Sequence, residues 1–147
     1  MGGNSMSKYD ILKLDNQLCF ALYACTREIT KMYQPYLDKL GLTYTQYITM
    51  LVLWENPKIS FKDLSSKLFL DSGTLTPLLK KLENMGLLDR KRDPSDERSV
   101  IISLTTKGEE MKKAALHIPE NILCSTGLSA EEAIALREQI KGILNQF

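Results

Sequence analysis

Four residues that favour helix N-caps, Asp71-Ser72-Gly73-Thr74, stand directly ahead of Leu75, Leu78, Leu79 and Leu82. That order predicts a helix start followed by a single apolar face, and Gly86 supplies the stop. Upstream, Ser60 with Asp63 opens a shorter amphipathic segment carrying Phe61, Leu64 and Leu68. The pair reads as a helix-turn-helix. Pro77 sits awkwardly in it, because proline is tolerated only near a first turn, so the second helix either starts late, near Thr74, or bends there.

Beyond Gly86, Leu87 to Arg92 and Ser99 to Leu104 both read as extended, the second alternating Val100, Ile102 and Leu104 against Ser99 and Ser103. Asp93-Pro94-Ser95-Asp96 between them is a turn, which makes a charged β-hairpin. A helix-turn-helix followed by such a hairpin is a winged helix. Ahead of it, Leu22, Cys25, Ile29, Met32 and Tyr36 mark one stripe of a long helix from Leu18 to Gly41. Thr43 with Gln46 opens a second helix that runs through Trp54 and stops at Asn56-Pro57. Two capped helices finish the chain, one from Thr106 with Glu109, which Pro119 bends or ends, and one from Ser129 with Glu132.

The expected class is therefore mainly α with a small β-hairpin (α+β): a winged helix-turn-helix with dimerisation helices at both ends. Residues 1–13 read as a tag or N-terminal extension, since Met1-Gly2-Gly3-Asn4-Ser5 carry no pattern ahead of Met6. Residues 14–147 form one domain, with 14–57 and 105–147 for dimerisation and 58–104 as the winged helix-turn-helix. The stripes Met111, Ala115, Ile118, Ile122 and Ala133, Leu136, Ile140, Leu144 exceed what so small a central unit covers, which points to a homodimer. Packing within one subunit is the alternative.

A net charge of +1, from 19 Lys and Arg against 18 Asp and Glu, does not by itself announce a nucleic-acid partner. Any such binding must come from local placement. The wing carries Arg90, Lys91, Arg92 and Arg98 against Asp89, Asp93, Asp96 and Glu97, a balance that a plain solvated hairpin also shows. Cys19, Cys25 and Cys124 are odd in number with no Cys-x-x-Cys pair, and His117 is the single histidine, so no metal, cofactor or disulfide framework is expected. The apolar run from Leu18 to Cys25 falls well short of the ~20 residues of a membrane span. A cytoplasmic protein with no membrane partner is expected.

The segment from Leu70 to Glu83, with Gly86-Leu87, Arg90, Asp96-Glu97-Arg98 and Leu104-Thr105, resembles MarR-family regulators. Asn16-Gln17-Leu18-Cys19-Phe20 with Tyr23, Tyr33 and Tyr44 is similar to the OhrR branch, the organic-hydroperoxide sensors. The resemblance runs from about Leu14 to the C-terminus. It implies a homodimer on a palindromic double-stranded operator, most simply as a repressor. It implies that Ser72, Thr74 and Thr76 meet phosphates and base edges in the major groove, that Lys80 and Lys81 add backbone contacts, and that Arg98, paired with Asp96, reaches the minor groove.

Cys25 lies in the apolar stripe of the first helix and reads as a small core residue. Cys19 lies beside that stripe, one turn from Tyr23, whose phenol can donate to the sulfur and favour the reactive thiolate. Tyr33 is fourteen residues further, about 21 Å along a straight helix, so it meets Cys19 only across a dimer. The resemblance implies that Tyr33 and Tyr44 of the partner bond the sensing thiol. It also implies a two-cysteine type, in which Cys124 captures the oxidised Cys19 as a disulfide. Two other functions stay open: a MarR-type regulator relieved by a small aromatic ligand, and a thiol peroxidase. The second lacks a histidine near Cys19, a Cys-x-x-Cys pair and a glycine-rich loop, so no enzyme is expected.

Overall fold

Asp71 starts the second helix of the helix-turn-helix by accepting the Thr74 N–H at 2.8 Å, and the helix runs from Ser72 to Asn84. The helix therefore does not start late, near Thr74, and Pro77 lies inside it. The carbonyl it cannot bond belongs to Gly73, which is exposed to water and brings no side chain to crowd the ring. The computed structural model describes residues 7–147, so the expectation of a tag at Met1–Ser5 lies outside the described residues. Short 3-10 turns at Asp10–Leu12 and Leu14–Asn16 lead into α1 (Leu18–Leu40), followed by α2 (Tyr44–Glu55), β1 (Lys58–Ser60), α3 (Phe61–Leu68) and α4 (Ser72–Asn84). Then come β2 (Leu88–Asp93), β3 (Asp96–Leu104), α5 (Thr106–Ala115), α6 (Ile118–Thr126) and α7 (Ala130–Leu144).

α1 ends where Gly41 adopts the left-handed conformation, with Leu42 N–H bonding Leu37 O at 3.1 Å. The Thr43–Gln46 capping box then opens α2 as expected. The sheet is antiparallel in the order β1-β3-β2. β1 was not anticipated, because three residues are too few to show alternation; it brings Ile59 opposite Ile102, and both are buried. At the C-terminal end, the cap of α5 is Thr105 rather than Thr106, accepting Gly108 N–H at 3.1 Å. Pro119 falls at the second position of α6 and so divides the expected single helix in two.

One core joins these elements. Met50 and Leu53 of α2, Leu64 of α3, Leu75, Leu79 and Leu82 of α4, and Leu87, Leu88 and Ile102 around the hairpin are fully buried. Each such leucine contributes about 1.5–3 kcal/mol of burial. Trp54 donates its Nε1–H to the Gly108 carbonyl at 2.9 Å in the interior. Gly108 is required there, since a Cβ would lie 2.3 Å from Leu87 O. Among the described residues, no helix is long and apolar enough to cross a membrane.

Candidate nucleic-acid interface and thiol site

α4 presents two faces. Leu75, Leu78, Leu79 and Leu82 point into the core, while Ser72, Thr74, Thr76, Lys80 and Lys81 are all exposed. Among the described residues, the Ser72 and Gly73 amides find no acceptor in the chain, so this end offers hydroxyls and free N–H groups to anionic oxygens, while the two lysines lie toward the other end of the helix.

The wing is pinned to this helix by Glu83. Its carboxylate accepts from Arg90 Nη2 at 3.0 Å, Arg90 Nε at 3.3 Å and the Arg90 backbone N–H at 3.1 Å. Those hydrogen bonds hold the Glu83 carboxyl below its ordinary range. The pair was missed, although opposite charges on either side of Gly86 were visible in the sequence. At the wing tip, Asp93 accepts the Ser95 N–H and hydroxyl at 3.0 and 2.7 Å, which lowers its carboxyl as well.

The expected Asp96–Arg98 ion pair is not formed. Asp96 instead accepts the Arg98 backbone N–H at 3.0 Å and the Ser99 hydroxyl at 3.3 Å. An N–H two residues on lies nearer than the end of a long side chain, so the local turn wins. The Arg98 guanidinium is left exposed and, among the described residues, without an ion-pair partner.

All three thiols are exposed. For Cys25 this corrects the core reading: the N-terminal half of α1 extends past the core, Leu22 there is only half-buried, and the first residues of the stripe packed on the core are Ile29 and Met32. Tyr23 makes no hydrogen bond to Cys19 within the chain; its ring lies 5.5 Å from the Arg27 guanidinium instead. Tyr33 and Tyr44, distant in sequence, do come together, edge to face at 5.1 Å. Tyr47, which was not anticipated, completes the group at 5.6 Å from Tyr33 and 6.3 Å from Tyr44. The signal for it was its place one helical turn after Tyr44 on the buried face of α2. Burial, aided by the two neighbouring phenols, pushes Tyr33 up to about 12, and burial also raises Tyr44 and Tyr47. These phenols stay protonated at neutral pH and are hydrogen-bond donors. Cys124 lies in the last turn of α6.

A family profile described as "Transcriptional regulator SarA/Rot" matches residues 31–115, more than half of the chain. The organic hydroperoxide resistance transcriptional regulator of Bacillus subtilis is 49% identical over 138 residues, 94% of each chain. The chain belongs to the MarR family of transcriptional regulators, on its OhrR-like branch. This is a class of regulators, which disposes of the thiol peroxidase reading. Among solved structures, the regulator is similar to AbfR of Staphylococcus epidermidis in three states. Reduced AbfR bound to DNA matches at a TM-score of 0.78 with 34% identity, covering 95% of this chain and 98% of that one. Disulfide-formed AbfR matches at 0.66 with the same identity and 95% coverage of both. Overoxidised AbfR bound to DNA matches at 0.77 with 35% identity, so the likeness does not separate the reduced from the overoxidised protein.

Proposed function

We propose that this regulator is a homodimeric repressor that leaves a palindromic operator when an organic hydroperoxide oxidises Cys19. The observation that carries the reading is the separation of the thiol from its donors. Cys19 and Tyr33 ride one helix about 21 Å apart, while Tyr33, Tyr44 and Tyr47 form a protonated cluster at its other end. A second copy is what brings such donors to the thiol. The exposed Leu18, Phe20 and Tyr23 of α1 and Ile134, Leu136 and Ile143 of α7 supply the apolar surface for that copy.

In the dimer, Ser72, Thr74 and Thr76 enter successive major grooves about 34 Å apart, with Lys80 and Lys81 on the backbone and Arg98 in the minor groove. Asp96 serves by shaping the turn that presents Arg98. The Cys19 thiolate attacks the distal oxygen of the hydroperoxide, giving a sulfenic acid and an alcohol. The partner's Cys124 thiol then displaces hydroxide from that sulfur, forming a disulfide and water. The bond needs Cα atoms within about 7 Å, so closing it shifts helices and moves the recognition helices off their spacing.

Hydroperoxide treatment is expected to yield a covalent dimer on a non-reducing gel, and Cys124→Ser to abolish it. Full cross-linking by that variant would end the resolving role of Cys124. A second reading, relief by a small aromatic ligand, is favoured by an apolar cavity of about 400 Å³ lined by Tyr47, Leu51, Trp54, Leu116 and Pro119, with Lys112 at its rim. Cys19→Ser separates the two: derepression vanishes in this variant under the redox reading and survives under the ligand reading.

A further inference from the structure

Between the first turn of α3 and the wing lies a cleft of about 280 Å³, lined by Ser60, Phe61, Lys62, Arg98, Ser99 and Val100. Pairing of β1 with β3, which sets Ser60 opposite Ile101, brings these two walls together. The polar groups on the walls differ in what they have left to offer. The Ser60 hydroxyl accepts the Asp63 N–H at 3.1 Å, and the Ser99 hydroxyl donates to Asp96 at 3.3 Å. Lys62 and Arg98, in contrast, make no side-chain hydrogen bond and no ion pair among the described residues, and both are exposed.

The carboxylates nearby do not answer them. Asp63 follows Lys62 and so points about 100° away around α3. Glu97 precedes Arg98 on its strand and so faces the opposite side. Asp96 is occupied by an amide and a hydroxyl. Two unanswered cations lining one cleft form a site for an anion, and a phosphate oxygen accepts from both an ammonium and a guanidinium.

We infer that Lys62 is a DNA-binding residue, holding a backbone phosphate at the mouth of this cleft, on the rim of the minor groove that Arg98 enters. The inference rests on the DNA-binding reading above, and it extends the interface from α4 and the wing tip to α3.

The test is a salt titration by fluorescence anisotropy on a mixed-sequence duplex of about 30 base pairs, using the full-length reduced protein. Lost phosphate contacts lower the slope of log K against log salt by about 0.9 each, or about 1.8 for two subunits. Between about 50 and 200 mM salt, Lys62→Gln should therefore lose about tenfold less affinity than the wild type. Lys62→Arg should restore the wild-type slope. Lys39→Gln, an exposed change in the last turn of α1, should leave it untouched. A wild-type slope in Lys62→Gln, or an equal drop in Lys39→Gln, overturns the inference while leaving DNA binding in place. A wild-type protein that binds no duplex at any salt overturns the DNA-binding reading and this inference with it.

Discussion

Leu79 of α4 and Leu136 of α7 occupy equivalent places on amphipathic helices, yet Leu79 is fully buried and Leu136 is 46% exposed. The same contrast divides the molecule. From α2 to β3, the apolar stripes face one another within the chain and bury Met50, Leu53, Leu64, Leu75, Leu79, Leu82 and Ile102 completely. In the first half of α1 and along α7 the stripes are as regular but stay exposed or half-buried. The stripe Met111, Ala115, Ile118 and Ile122, expected at a dimer interface, is instead covered within the subunit, with Ala115, Ile118 and Ile122 buried in the same core, whereas the first half of α1 and α7 bury no residue. Cys19 lies at the exposed start of α1.

The largest effect should separate the two regions. Leu79→Ala is expected to cost about 2–5 kcal/mol in urea unfolding, by the same amount at every protein concentration. Leu136→Asp should instead lower stability more as the protein is diluted, with monomer visible by sedimentation. A concentration-independent loss in Leu136→Asp would show that α7 packs within its own subunit.

A smaller effect is expected at the joint between core and DNA face. Asp71→Ala removes the cap of α4 and should cost about 1 kcal/mol of stability, with weaker DNA binding because the exposed first turn frays. Ser129→Ala, which removes the cap of α7, should match it in stability but leave the affinity of an assembled dimer for DNA unchanged. Equal loss of affinity in both variants would erase the functional distinction between the two helices.

The smallest effect concerns the Glu83–Arg90 clasp, a pair about a third exposed and so contributing less than about 1 kcal/mol. The folded state holds Glu83 below its ordinary 4.5, so its contribution is present above that pH and is lost as pH falls through the folded value. Glu83→Gln should thus be less stable than the wild type at pH 7, with the gap closing in acid. A gap that widens in acid would reverse the assigned sign.

Local chemistry was legible wherever a residue acts on its near neighbours. The α2 and α7 capping boxes, the Gly41 stop and the wing turn at Asp93 to Asp96 are all contacts within a few positions, and periodicity placed every long helix. What misled was competition at short range: Thr105 displaced Thr106 as the α5 cap, and the Arg98 amide took the carboxylate expected to pair with its guanidinium.

Sequence by itself determined the helix-turn-helix, the hairpin, the exposed hydroxyls and lysines of α4 and the solitary placement of Cys19 near a helix start. Each follows from spacing along one element. Only the tertiary structure decided that Tyr47 joins Tyr33 and Tyr44, that Glu83 clasps the wing, that Cys25 is exposed, and that Lys62 stands across a cleft from Arg98. Those relations join residues on different elements, and they depend on how far α1 overhangs the core and on a three-residue strand too short to announce itself.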